Sequence, residues 1–213
     1  MATEKAQDTG GKNEELQLAV FDLNKTFYHK SSKEEFYKFI LTKEPKRLSY
    51  IFEMAYFKLL NKLNQIRQTE FKENFFNYLD KLPPDKVEAY AIEFWKKEFP
   101  ENFNQEIMSR LDSMKKDGVK IVCATGGLEV YVKPLFRLFE VDGMVGTRVK
   151  YTNKTYLVKG EACKGEEKLR RLNSLFNGKK YRILEAYSDK KEEMLEKAEK
   201  AFLVKKGNLQ PME

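Results

Sequence analysis

Four short segments of this chain carry side chains suited to handling a phosphate group. The first holds Asp22, Asn24 and Thr26, the second Thr125, Gly126 and Gly127, the third Lys164 and Lys168, and the fourth Asp189. Two carboxylates, completed by water and a substrate oxygen, can hold Mg²⁺, which demands an octahedral oxygen shell. A metal there neutralises phosphate charge and lets an anionic carboxylate approach it. Asp22 could then attack phosphorus and form an aspartyl-phosphate. Gly126 and Gly127 would let backbone N–H groups close on phosphate oxygens at a helix start. A lysine supplies the remaining positive charge. Singly, each residue is ordinary, because Asp, Thr and Gly after a strand commonly serve only as caps and turns. The combination and its order along the chain point to chemistry.

These segments meet only if each follows a strand of one sheet. Residues 16–23 (LQLAVFDL), 119–124 (VKIVCA) and 181–187 (YRILEAY) read as buried strands, and shorter strands are predicted at 141–147, 155–158 and 202–204. Helices are predicted at 104–116, 128–139, 165–176 and 192–201. Such alternation argues a parallel, doubly wound α/β sheet, whose ligands bind beyond the carboxyl ends of the strands.

Residues 32–98 break the alternation and read as about four helices inserted after the first strand. Ser32-x-x-Glu35 has the form of a capping box. Leu48, Ile51, Phe52, Ala55, Leu59 and Leu63 share one helical stripe, with Phe71, Phe75 and Leu79 on a further helix; all are expected in a helical core, as is Trp95. Pro83 and Pro84 mark a break before the last of these helices.

Composition removes several chemistries. The sole histidine, His29, excludes multi-histidine zinc sites, and the two cysteines, Cys123 and Cys163, form no C-x-x-C pair. Cysteine usage suits a reducing compartment, with Cys123 in the core. No run of eighteen apolar residues occurs, and the first fifteen residues lack the apolar stretch of a secretory signal. Forty Lys and Arg against 33 Asp and Glu give a net charge of +7. That balance admits nucleic acid, an anionic membrane surface or phosphorylated substrates as partners. The signs interleave, as in KKEEMLEKAEK (190–200), which reads as a solvated helix face rather than a nucleic-acid site.

The ordered segments resemble the haloacid-dehalogenase (HAD) superfamily and, within it, the subfamily IB phosphatases, relatives of phosphoserine phosphatase. The similarity lies in AVFDLNKTF (19–27), against a family pattern D-x-D-x-T, in IVCATGG (121–127), in the stretch 141–172 and in EAYSDKKEEML (185–195). It spans about residues 18–205. It implies a HAD-like Rossmannoid core with a parallel sheet, formed by 14–30 and 104–213, and an inserted α-helical cap of the C1 type at 31–103. Residues 1–13 are expected to be a flexible tail.

At matched positions the resemblance implies that Asp22 is nucleophile and Mg²⁺ ligand, that the backbone carbonyl of Asn24 is a second ligand, and that Asp189 completes the metal site. Thr125 would hold the phosphoryl group with Gly126 and Gly127. Lys168 matches the G-E-x-K form of the third motif and Lys164 the K-G form; Lys168 is favoured.

Three positions depart from the pattern. Asn24 stands where the family has the aspartate that protonates the leaving group, removing a contribution typically worth 10²–10⁴-fold. Ser188 and Glu193 stand where the fourth motif usually has Gly and Asp. Lys25 replaces the usual Gly and places a cation near Asp22. The expected function is an Mg²⁺-dependent, cytoplasmic phosphomonoesterase for a phosphorylated small molecule, slowed by Asn24, with lipid phosphates among the alternatives. Two other expectations stand beside it: an impaired protein that binds a phosphorylated ligand, and a basic protein that binds polyanions or membrane surfaces. His29, just after the first motif, is expected to be an exposed or structural loop residue.

Overall fold

The structure is a computed structural model that describes residues 15–212; the predicted tail at 1–13 lies outside the described residues. In chain order the strands are β1 (Leu16–Phe21), β2 (Lys120–Leu128), β3 (Gly143–Thr147), β4 (Val149–Thr152), β5 (Thr155–Val158), β6 (Tyr181–Ser188), β7 (Ala198–Lys205) and β8 (Asn208–Pro211). The helices are α1 (Ser32–Lys43), α2 (Tyr50–Lys62), α3 (Gln68–Phe75), α4 (Pro84–Glu98), α5 (Gln105–Lys116), α6 (Glu129–Val132), α7 (Glu166–Leu175) and α8 (Glu193–Glu196).

The run LAVF is apolar at every position because β1 is covered on both faces, as the middle strands of parallel sheets are. Leu18, Ala19, Val20 and Phe21 are fully buried. The main sheet has the order β3-β2-β1-β6-β7-β8. Its first five strands run parallel, and β8 pairs antiparallel with β7. Phe21 lies level with Cys123 on one side and Tyr187 on the other. The residues that follow these three strand ends therefore gather at one edge.

Several local expectations change. The predicted helix at 192–201 is only the single turn α8, and Ala198–Lys205 instead forms β7, parallel to β6. Its charged residues Glu199, Lys200 and Lys205 are exposed, and pairing with β6 on one side and β8 on the other overrides helix propensity. The helix expected at 128–139 divides into α6 and a 3-10 segment Lys133–Arg137, because Pro134 cannot donate to a continuing ladder. The strand predicted at 155–158 is not part of the main sheet: β4 and β5 form a separate antiparallel hairpin. That hairpin leans on the helical insertion, where Tyr156 donates to the Leu82 carbonyl and Thr155 to Asp80.

Helices α1 to α4 occupy the chain between β1 and α5, as the periodicity predicts. The capping box does not form: Ser31 is the N-cap of α1, and the Ser32 hydroxyl pairs with that of Tyr131. Aromatic side chains run without interruption from the sheet into the insertion. Phe27 packs on Phe21 and Phe103, Trp95 on Tyr28 and Phe94, and Phe36 stacks on Tyr131. Trp95 is fully buried, and its indole N–H donates to the Tyr131 carbonyl at 2.6 Å. Phe71, Phe75 and Leu79 are buried as expected. The stripe on α2 is not. Leu48, Ile51, Phe52, Leu59 and Leu63 are exposed, because α2 turns Met54 inward instead and lies at the outside of the bundle.

Candidate active site

Asp22 directly follows β1, and its backbone N–H donates to the Tyr187 carbonyl of β6. Its side chain lines a pocket of about 440 Å³ and is only 11% exposed. Lys168, 4% exposed, reaches this pocket from the first turn of α7; its Nζ lies 3.0 Å from Asp22 Oδ1. The same ammonium lies 2.8 Å from Glu192 Oε2. Burial opposes charge on Lys168, but the Asp22 and Glu192 carboxylates outweigh it and hold the ammonium above its ordinary range. The pairing therefore favours a charged Lys168 against the predicted nucleophile.

The fold holds α7 in place for this contact. Gly165 precedes the helix at φ 57°, a left-handed conformation that costs other residues energy. Arg171, one turn further along α7, donates to the carbonyls of Gly146 and Glu161, both at 2.6 Å. Thr147 ties the same loop to the second motif: its hydroxyl donates to the Gly126 carbonyl and accepts the Cys163 N–H, both at 3.1 Å.

Thr125 is fully buried at the end of β2's regular pairing. Its Oγ1 accepts the Gly127 N–H at 3.1 Å and faces the Asn24 amide nitrogen at 3.5 Å. The expectation that Gly126 and Gly127 open a helix is corrected. They lie within β2, at a break in its register with β3, and the short α6 begins two residues later. A side chain at Gly127 would strike Val132 at 2.8 Å, so glycine is required there by packing. Asn24 Oδ1 accepts the Ser32 N–H at 2.7 Å.

Asp189 lies beyond β6 and lines the same pocket. Burial raises its pKa; Lys190 pulls it down, and the charge of Asp22 raises it further. A carboxylate whose ionisation a second carboxylate opposes is a donor that a divalent cation would suit. Among the described residues, no group of three or more His, Cys, Asp or Glu side chains could hold a metal. Two carboxylates plus backbone and substrate oxygens are nevertheless the ordinary set for Mg²⁺, and Asp22 and Asp189, which line one pocket, are donors of that type.

Other predicted residues lie further away. Lys164 is exposed at the pocket rim, and Lys168 occupies the interior. Glu193 faces Gly165, and it is Glu192 that contacts Lys168 and, at 2.5 Å, the Ser188 hydroxyl. Lys25 is exposed at φ 59°, which accounts for a glycine being usual there, and lies with His29 and Asp189 along a separate shallow cleft. His29 is exposed, as expected.

Sequence reasoning missed three residues of this pocket: Glu192, Lys33 and Lys72. Lys33 comes from α1, and its Nζ stands 4.7 Å above the Phe75 ring. Lys72 comes from α3, with Nζ 3.6 Å from where a side chain on Gly126 would begin. Burial lowers Lys72 to about 7, helped by Lys33 and Lys164. Burial likewise lowers Lys33 to about 8. Among the described residues neither is in an ion pair. Two lysines outside any ion pair thus line the pocket that holds Asp22, and a phosphate bound there would pair with them.

A family model described as haloacid dehalogenase-like hydrolase matches residues 19–192. No curated protein matches the chain by sequence. Among solved structures, a protein of unknown function from Bordetella pertussis Tohama I is 19% identical, with a TM-score of 0.68 and 83% of each chain covered. A phosphoserine phosphohydrolase-like protein from Francisella tularensis subsp. tularensis SCHU S4 is 20% identical, with a TM-score of 0.59, covering 87% of this chain and 86% of that one. A phosphoserine phosphatase studied as a phospho-aspartyl intermediate analogue is 16% identical, with a TM-score of 0.58, covering 88% and 86%. At these identities the likeness is one of fold.

Proposed function

The chain belongs to the haloacid dehalogenase-like hydrolases, and on that footing we propose that it is a phosphomonoesterase acting through an aspartyl-phosphate on Asp22. The observation that carries this reading is the contact of Lys168 with Asp22 at 3.0 Å, just beyond β1, the strand between β2 and β6 in the parallel sheet. Carboxylate and buried ammonium meet in the pocket that Gly126, next to the buried Thr125, also lines, which supports a site where phosphoryl transfer finds a nucleophile and charge neutralisation.

In this mechanism a phosphomonoester enters between Asp22 and the lysines of the helical insertion. Lys168 and the Thr125 hydroxyl hold the phosphoryl oxygens. An Asp22 carboxylate oxygen attacks phosphorus, and the bond to the leaving oxygen breaks. Water then attacks the phosphorus of the aspartyl-phosphate and returns Asp22 as a carboxylate, with inorganic phosphate as product. Mg²⁺ held by Asp22, Asp189 and the Asn24 carbonyl would supply further neutralisation of phosphate charge. Asn24 exchanges no proton, so the leaving oxygen departs without a general acid at that position. Substrates with good leaving groups, such as aryl or acyl phosphates, lose least.

Phosphate release from a panel of phosphomonoesters with Mg²⁺ tests this, comparing the wild type with Asp22→Asn. Activity that vanishes in the variant supports the reading. No turnover together with no acid-stable phosphoenzyme overturns it. One observation favours a second reading: Asn24 spends its side chain on the Ser32 N–H and on Thr125, a structural use compatible with a protein that binds phosphorylated ligands without turning them over.

A further inference from the structure

Helix α2 is apolar on nearly every face, yet only one face is covered. Met54 is buried, while Leu48, Ile51, Phe52, Tyr56, Leu59 and Leu63 are 46–78% exposed. At about 100° per residue the five from Ile51 to Leu63 occupy one sector about 140° wide, and Leu48 lies in the 3-10 segment Pro45–Ser49 just before the helix. The three other large apolar side chains exposed among the described residues, Leu138, Leu157 and Leu175, belong to different elements. A helix apolar all round is ordinarily buried, and a contiguous exposed stripe marks an interaction surface.

We propose that this face of α2 seats the protein on an anionic phospholipid surface. The inference is independent of the phosphatase reading. Charge selects the occupant. Lys46, Lys58 and Lys62 are exposed along and beside the stripe; Lys58 is paired with Glu34, and Glu53 is the only acidic residue within α2. Two copies of the face packed together would oppose lysine to lysine, whereas acidic headgroups complement them. Phe52 and Tyr56 within the stripe, with long lysine stems at its edge, form the pattern of a helix lying in a membrane interface. The chain's net charge of +7 acts in the same direction.

The position of the helix adds a second argument. An apolar groove of about 300 Å³, lined mainly by Tyr37, Leu41, Ile51, Met54 and Phe75, opens between α1 and α2 along the same stripe. Its mainly apolar lining, to which Glu34, Lys38 and Lys58 also contribute, suits an acyl chain. At the end of α2, Asn61 accepts from Gln68 at 2.6 Å, and both residues line the Asp22 pocket. A surface in contact with α2 therefore borders the pocket's lysine-bearing entrance.

The test is sedimentation of the full chain with phosphatidylcholine vesicles, with and without one quarter phosphatidylglycerol. Wild type is compared with the double variant Phe52→Glu/Leu59→Glu and with Lys62→Glu. Both altered sites in the double variant are exposed, and circular dichroism checks that it folds. Binding that requires phosphatidylglycerol, weakens with salt and falls at least tenfold in the double variant supports the proposal, as does a smaller loss in Lys62→Glu. Three results overturn it. One is no binding of the wild type to the acidic vesicles. Another is equal binding by the double variant. The last is a wild-type dimer in light scattering that the double variant converts to monomer, because a second copy would then cover the face.

Discussion

The side-chain oxygen of Asn24 accepts the backbone N–H of Ser32 at 2.7 Å, so the residue at the family's acid–base position also fastens the first turn of α1. Ser31, the N-cap of that helix, makes no side-chain cap bond of its own. Asn24→Asp keeps an acceptor for Ser32 and introduces a group that can exchange a proton. Turnover of alkyl phosphates is expected to rise about 10²-fold or more, with an unchanged melting temperature. Asn24→Ala loses the acceptor and is expected to cost about 1 kcal/mol. Steady-state kinetics and thermal melts check both. An Asn24→Asp variant as inactive as the wild type would instead favour a binding protein.

Lys168 lies between two buried carboxylates, those of Asp22 and Glu192. Replacing it by Met leaves both without their cation. The expected cost is about 3–5 kcal/mol, as for other broken buried pairs, together with loss of phosphatase activity. Lys164→Met, at an exposed position, is expected to leave stability within about 0.5 kcal/mol of wild type. Urea unfolding separates the two. Equal midpoints for Lys168→Met and wild type would contradict the buried pairing.

Phosphate binding is expected to depend on pH through the insertion's lysines. Lys72 is lowered to about 7, first by burial and then by Lys33 and Lys164, with Asp22 and Cys163 acting weakly the other way. Lys33 is lowered to about 8 by burial, Glu34 raising it while Lys58, Lys190 and Lys164 lower it further. Both ammoniums lose charge as the pH rises through these values, so anion affinity should fall between about pH 6.5 and 8.5. A bound phosphate favours the charged forms, so binding near pH 8 should take up protons. Calorimetry in buffers of different ionisation enthalpy measures that uptake. Lys72→Met should reduce both the uptake and the pH dependence; an unchanged profile would remove Lys72 from the anion site.

Much of the catalytic edge was legible because it depends on strand ends. An apolar run followed by Asp22, Thr125 or Asp189 reads the same in sequence and in structure once the strands are adjacent. Lys168 was legible through its local motif. Lys33 and Lys72 were not, since their aim into the pocket is set by how α1 and α3 pack, and a lysine beside Phe71 reads equally well as surface. Glu192 was obscured by its neighbour Glu193: one residue of register on a short turn decides which carboxylate meets Lys168. The stripe on α2 misled because periodicity identifies an apolar face without saying what covers it. The span 192–201 misled because interleaved charge describes a solvated helix and a partly exposed strand near the end of a sheet almost equally.

Trp95 supplies the last prediction, because the only tryptophan of the chain joins the helical insertion to the sheet. Its indole donates from α4 to the Tyr131 carbonyl in α6, and its ring packs on Tyr28, which follows β1. The buried apolar cluster continues through this junction, from Phe21 and Ile121 to Phe75 and Leu79. Insertion and sheet should therefore unfold as one cooperative unit, with tryptophan fluorescence and far-ultraviolet circular dichroism tracing the same urea curve. Trp95→Phe removes the indole donor and leaves the Tyr131 carbonyl without it, an expected cost of about 1–3 kcal/mol. The variant should shift the whole transition without splitting it, since the surrounding aromatic contacts remain. Two separated transitions in the wild type would mean that the shared aromatic packing does not couple the helices to the catalytic edge.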